Sequence, residues 1–354
     1  MLPSVLLHDH LDGGLRPGTV LELAEACGYD DLPADNEHDL ARWFDQKDSG
    51  SLEAYLGAFR HTIAVMQGSE ALERVAYEAG HDLAADGVVY GEVRFSPPLH
   101  APDPAGQGQV IEAVASGLRM AAEETGMRWG MIIDALRHLH DSQAVARLAM
   151  RHRHLGVVGF DIAGPEAGFP PRAHVAAFRM VRAGGLRLTI HAGESAGPHG
   201  VAFMAQAMDV CGAERIGHGI EIIRDCRIED DEIVALGGVA RRVRDRRIPL
   251  EVCPSSNLAT GRLVPDQHPI GLLYRAGFNV TLSTDNRLMS STSMSEEFDL
   301  VRKYHGFEVD DLARVTRRSL EAAFCSWEVK AELWEDAIAP AYTAAGAGLD
   351  PVWS

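Results

Sequence analysis

Only three lysines occur among the 354 residues, Lys47, Lys303 and Lys330, and the formal charge is −18. A surface that grips nucleic acid or an anionic membrane needs clustered Lys and Arg, so neither partner is expected. No uncharged apolar run approaches the ~20 residues that cross a bilayer. The first residues carry no basic region and no long apolar core, and they are not expected to act as a signal peptide. Five cysteines, Cys27, Cys211, Cys226, Cys253 and Cys325, are dispersed without a Cys-x-x-Cys pair. That argues against a zinc ribbon or a disulfide framework and suits a reducing compartment, so the cytoplasm is the expected location. No Gly-x-Gly-x-x-Gly follows an early strand, which removes the fingerprint of a dinucleotide-binding sheet.

What is present is ordinary in amount, 46% apolar and 24% charged, and regular in arrangement. Short Val/Ile/Leu-rich runs near 4–10, 87–95, 129–136, 155–163, 186–192, 214–218, 248–253 and 278–284 read as strands. Most are continuously apolar, as parallel strands covered on both faces are. Helical patterns near 107–126, 140–152, 172–183, 199–211, 229–243 and 293–305 fill the gaps. Eight strands with intervening helices predict an α/β fold, a (β/α)8 TIM barrel. One domain over residues 1–354 is expected. Residues 11–86 form a helical insertion after the first strand, with helices near 18–27, 52–66 and 70–86, and extra helices follow near 309–325 and 327–346. A long insertion after a barrel strand sits at the active end and is expected to cap it.

The chemistry-bearing residues fall at the ends of these strands. Side chains two apart on a strand share a face, so His8 and His10 can bind one ion together. His191, His218 and Asp285 arrive at the C-terminal ends of later strands, where barrel enzymes gather their catalytic groups. Three imidazoles and a carboxylate suit zinc. The fourth strand, Val157–Gly164, holds no lysine that could bridge two metals, so one ion is expected. Such an ion lowers the pKa of bound water to about 7. His218, between two glycines, fits a base and orienting group, and Glu194 fits an acid if kept protonated.

Taken in order, His8-Asp-His10-Leu-Asp12-Gly, Tyr90-Gly-Glu-Val-Arg-Phe-Ser-Pro97, Asp161-Ile-Ala-Gly164, His191-Ala-Gly-Glu194, Arg215-Ile-Gly-His218-Gly, Glu251-Val-Cys-Pro254 and Ser283-Thr-Asp285 resemble the adenosine deaminase family. The resemblance implies a TIM barrel with one Zn2+ held by His8, His10, His191 and Asp285. It implies Glu194, His218 and Asp285 as the catalytic residues: Glu194 protonating purine N1, His218 and Asp285 facing the zinc-bound hydroxide that attacks C6. It places His10, Asp12, Gly164 and Asn286 against the substrate, with Gly164 at N3, Asp12 at the ribose and Asn286 at N7. The implied reaction is adenosine, and 2′-deoxyadenosine, plus water to inosine-type product plus ammonia.

Two positions depart from the family pattern. Asn286 stands where an aspartate is usual, and its amide keeps the hydrogen-bond donor that N7 requires. Pro165 follows Gly164 and removes a backbone donor there. Alternatives of the same chemistry are adenine or a 5′-modified adenosine such as aminodeoxyfutalosine. A one-metal amidohydrolase acting on a non-purine substrate is the more distant alternative. AMP is disfavoured because a phosphate site needs basic residues, and the first-strand loop supplies Asp12 instead.

Overall fold

A computed structural model describes residues 1–195, 197–261, 263–349 and 352–353. Eight parallel strands follow one another around the sheet in chain order. They are β1 (Ser4–His10), β2 (Val88–Phe95), β3 (Arg128–Leu136), β4 (Val157–Ala163), β5 (Arg187–Ala192), β6 (Arg215–His218), β7 (Leu250–Val252) and β8 (Val280–Leu282). The ring closes just beyond β8, where Asp285 pairs with Asp9 in a parallel bridge. His10 N–H donates to the Asp285 carbonyl at 2.7 Å, and Asp285 N–H donates to the His8 carbonyl at 2.9 Å. The expected TIM barrel is therefore present, with every strand within a few residues of its expected position.

The strands are buried on both faces because helices cover the outside and side chains fill the inside. Inside, the filling is partly ionic: Glu92, Arg94, Asp161, Arg215 and Glu251 are all essentially inaccessible to solvent. The expected helix over 229–243 is a correction. Cys226–Glu229 and Glu232–Leu236 form an antiparallel hairpin, and the helix begins only at Gly238, ending at Asp245. Asp230 and Asp231 have φ of 48° and 58°, the two left-handed central residues of a tight hairpin turn. The Asp225 carboxylate then caps the delayed helix by accepting from Val239 N and Ala240 N, both at 2.8 Å.

In the 11–86 insertion the expected helices appear at Pro17–Cys27 and Ser69–Ala85, while 52–66 is broken into Leu52–Leu56 and Phe59–Val65. A further helix, Glu37–Phe44, was not expected; Asn36 caps it by accepting from Asp39 N at 3.0 Å. The helix Val309–Ala322 packs against β1 and β8. No helix among the described residues is long and apolar enough to cross a membrane.

The helices Ser69–Ala85 and Pro104–Thr125 cross with backbone nearly in contact. A Cβ at Gly117 would lie 2.1 Å from the Glu73 carbonyl oxygen, and one at Gly80 would lie 2.5 Å from the Ala121 Cβ. Overpacking of this kind costs about 1–3 kcal/mol. Gly117→Ala is expected to lower the unfolding free energy by about that amount in chemical denaturation; an unchanged midpoint would show that the helices can part freely.

Candidate metal centre

β1 delivers His8 and His10 to the same face, β5 delivers His191 and β6 ends on His218. His218 and Asp285 both sit at positive φ, 59° and 62°. This sparsely populated conformation turns each side chain inward, and such local strain is typical of functional positions. One donor atom each from His8, His191, His218 and Asp285 lies within 4.8 Å of the others. His10 stands outside that group but against two of its members: its Nε2 is 3.4 Å from Asp285 Oδ1 and 3.4 Å from His191 Nε2. Two overlapping four-residue sets are thus available, one including His10 and the other His218. His8 Nε2 is buried and lacks a well-angled hydrogen bond, although Asp285 Oδ1 is only 3.2 Å away. An orphaned imidazole nitrogen facing a carboxylate fits a divalent cation between them.

Carboxylates hold the outer nitrogens. Glu251 Oε2 is 3.0 Å from His8 Nδ1, and Asp161 Oδ2 is 2.7 Å from His191 Nδ1. Both acids are themselves clamped by Arg94, at 2.9 and 2.7 Å. Gly217 leaves the room these rings need, since a Cβ there would approach the His191 Cα at 3.1 Å and His8 Cε1 at 3.3 Å. Burial, with the charges of neighbouring histidines, pulls His10 and His218 well below the usual imidazole range. Burial opposes ionisation of Asp285 as well, yet the imidazoles packed round it, His8 foremost at 3.2 Å, hold its carboxyl well below normal.

Glu194 lies just past β5, its backbone held by a second acid. The Glu166 carboxylate accepts from Gly193 N at 2.7 Å, Glu194 N at 3.0 Å and Ser195 N at 2.8 Å. Burial, reinforced by the Asp285 and Glu166 charges, pushes the Glu194 carboxyl well above its ordinary range, the direction a proton donor needs. Its Oε2 is 3.7 Å from His218 Nε2.

These groups share a pocket of about 470 Å³. Asp12, Gly164 and Asn286 line it, as do Leu52, Tyr55, Leu56, Phe59 and Ile63 from the insertion. Burial, against its own backbone N–H, pushes Asp12 up to about 7. Gly13 makes space for Asn286, because a Cβ there would fall 2.2 Å from the Asn286 Oδ1.

Several groups in and around the site escaped the sequence reading. Asp134 lines the pocket with both carboxyl oxygens buried and unpartnered, 3.6 Å from His10 Nδ1. Ser256 donates to Asp285 Oδ2 at 2.6 Å, and Asn257 lies against His218 at 3.0 Å. An acid inside the apolar run Met131-Ile-Ile-Asp134 was a visible signal; Ser256, Asn257 and Glu166 had none of comparable clarity.

The sequence profile of adenosine deaminase matches residues 3–340. The chain belongs to the adenosine deaminase family. A curated adenosine deaminase 1 from Streptomyces coelicolor is 49% identical over 347 residues, covering 96% of this chain and 87% of its own. Among solved structures, an adenine deaminase from Arthrobacter aurescens superposes with a TM-score of 0.85 at 25% identity, covering 98% of this chain and 100% of its own. An amidohydrolase from Burkholderia ambifaria with bound zinc superposes with a TM-score of 0.83 at 25% identity, covering 97% of this chain and 91% of its own.

Partners behind metal-binding imidazoles tune affinity by about 10–100-fold. Asp161→Asn is therefore expected to weaken metal binding by about that factor in competition with a chelator, with the fold followed separately by circular dichroism. Unchanged affinity would mean that Asp161 does not orient His191 for an ion.

Proposed function

We propose that this protein is a zinc-dependent hydrolase that converts adenosine and 2′-deoxyadenosine, with water, into inosine and 2′-deoxyinosine, releasing ammonia. The observation that carries the reading is one pocket joining the His/Asp cluster to the buried carboxyl of Glu194. When bound, one Zn2+ at His8, His10, His191 and Asp285 supplies Lewis acidity that brings the pKa of water to about 7. Glu194 then delivers its proton to purine N1 as C6 becomes tetrahedral, so charge does not accumulate on the ring. His218 orients the attacking water. Asn286 donates to N7 through its amide, Gly164 offers its backbone N–H to N3, Asp12 faces the ribose, and His10 borders the substrate as well as the ion.

A nucleoside rather than a nucleotide is favoured by the pocket wall. Asp12, Glu53, Asp134, Glu194 and Asp285 contribute carboxyls to it, and no Lys or Arg does among the described residues. A phosphate monoester would meet acids where it needs cations. The relatives at about half identity are named adenosine deaminases, whereas the adenine deaminase is similar at 25% identity; adenine is thus the second reading. The whole chain acts as one barrel domain in this reading, with 11–86 capping the active end. The five free cysteines support a reducing, cytoplasmic setting.

The test is a panel of adenosine, 2′-deoxyadenosine, adenine, AMP and 5′-substituted adenosines, followed by the ultraviolet change on deamination. Adenosine and 2′-deoxyadenosine are expected to lead, with AMP inert; faster turnover of adenine or AMP would overturn the assignment. Chelation is expected to abolish activity and zinc to restore it. Glu194→Gln should cut kcat about 10²–10⁴-fold with metal content retained, and a mild loss would remove Glu194 as the acid.

A further inference from the structure

We propose that a buried relay, Ile270–His268–Asn257–His218, fixes His218 with its proton on Nε2, so that this imidazole enters the pocket as a hydrogen-bond donor and neither as a metal ligand nor as a proton acceptor. The inference deepens the deaminase reading and rests on it for the role of His218 in catalysis, though not for the tautomer itself.

A peptide N–H can only donate. Ile270 N–H reaches His268 Nδ1 at 3.2 Å, so that nitrogen must offer a lone pair. His268 therefore carries at most one proton, on Nε2. Burial, helped by nearby His305, pulls its pKa down to about 3, in keeping with a neutral ring. His268 Nε2 lies 3.4 Å from Asn257 Oδ1, the acceptor the protonated nitrogen needs. The orientation of the Asn257 amide is thereby set, oxygen towards His268 and nitrogen towards His218. Asn257 Nδ2 then meets His218 Nδ1 at 3.0 Å. An amide nitrogen has hydrogens and no lone pair to give, so His218 Nδ1 is the acceptor. The remaining ring proton sits on Nε2, on the side of Glu194.

Two of the other imidazoles have the opposite arrangement. His8 and His191 turn Nδ1 to the carboxylates of Glu251 and Asp161, which can only accept when ionised. Their protons lie outside and their Nε2 lone pairs face the centre, as a cation requires. Of these three rings, His218 is the one with an amide donor behind it. The relay thus separates the two overlapping ligand sets: His218 is close enough to bind an ion, but the wrong nitrogen is protonated. It retains the orienting role of His218 and withdraws the proton-removing one. Asn257 and His268 are positioning residues, acting on the reaction only through that ring.

The tautomer is directly measurable by 15N NMR on zinc-loaded enzyme labelled in histidine, with His218→Gln identifying the signal. The expected spectrum shows His218 Nδ1 as an unprotonated nitrogen and Nε2 bearing hydrogen; a proton on Nδ1 overturns the proposal. Asn257→Asp exchanges the amide donor for an acceptor and is expected to move the proton to Nδ1. Turnover should then fall about 10²-fold or more, with KM and metal content little changed; full turnover in a correctly folded Asn257→Asp enzyme also overturns the proposal. Adenosine turnover with the proton on Nδ1 would sink the relay and leave the deaminase reading intact. No turnover with the proton on Nε2 would do the reverse.

Discussion

Glu251 binds four side chains at the centre of the barrel. Its Oε2 accepts from His8 Nδ1 at 3.0 Å and Arg94 at 2.9 Å, and its Oε1 accepts from Thr189 at 2.7 Å and Arg215 at 2.6 Å. Burial alone would neutralise such a carboxyl, but the two guanidinium groups hold it well below the usual range. Removing one member of a buried ionic set costs about 3–5 kcal/mol, because its partners are left charged and dry. Around it, Arg94 and Arg215 face Glu92, Asp161 and Glu251. Asp285, at the rim, adds a further negative group held ionised by the histidines. The interior is thus poised for a cation before any substrate contact is considered.

What distinguishes the histidines is the group behind each ring. Burial alone treats His8, His191 and His218 alike, since none is appreciably exposed. The chemistry of each nitrogen is decided by whether an acceptor or a donor touches Nδ1, a difference of one residue type on a neighbouring element. Two neighbouring acids are told apart by their contacts in a similar way. Glu194 and Glu166 are both buried and adjacent, yet Glu166 receives three backbone N–H groups while Glu194 faces the pocket.

Much of this was legible in the sequence because strands impose a short period. The spacing of His8 and His10 placed both on one face without knowledge of the barrel, and the apolar runs located all eight strands. The hairpin at Cys226–Leu236 was not legible as such: its half-exposed residues mimic one turn of a helix, and only the left-handed pair Asp230–Asp231 reveals the reversal. Asn257 and His268 were missed for a different reason. Each acquires its meaning from a partner on another strand or loop, and His268, taken alone, is an ordinary buried histidine. Asp161 and Glu251 stood inside recognised segments, but their contacts with His191 and His8 could not be read from spacing.

The ring is joined by main-chain hydrogen bonds from Asp285 to His8 and His10, residues whose side chains also crowd the metal site. The seam of the cylinder and the cluster of donor atoms therefore rest on the same stretch of backbone, so a shift of either end of the ring displaces His8, His10 and Asp285 together.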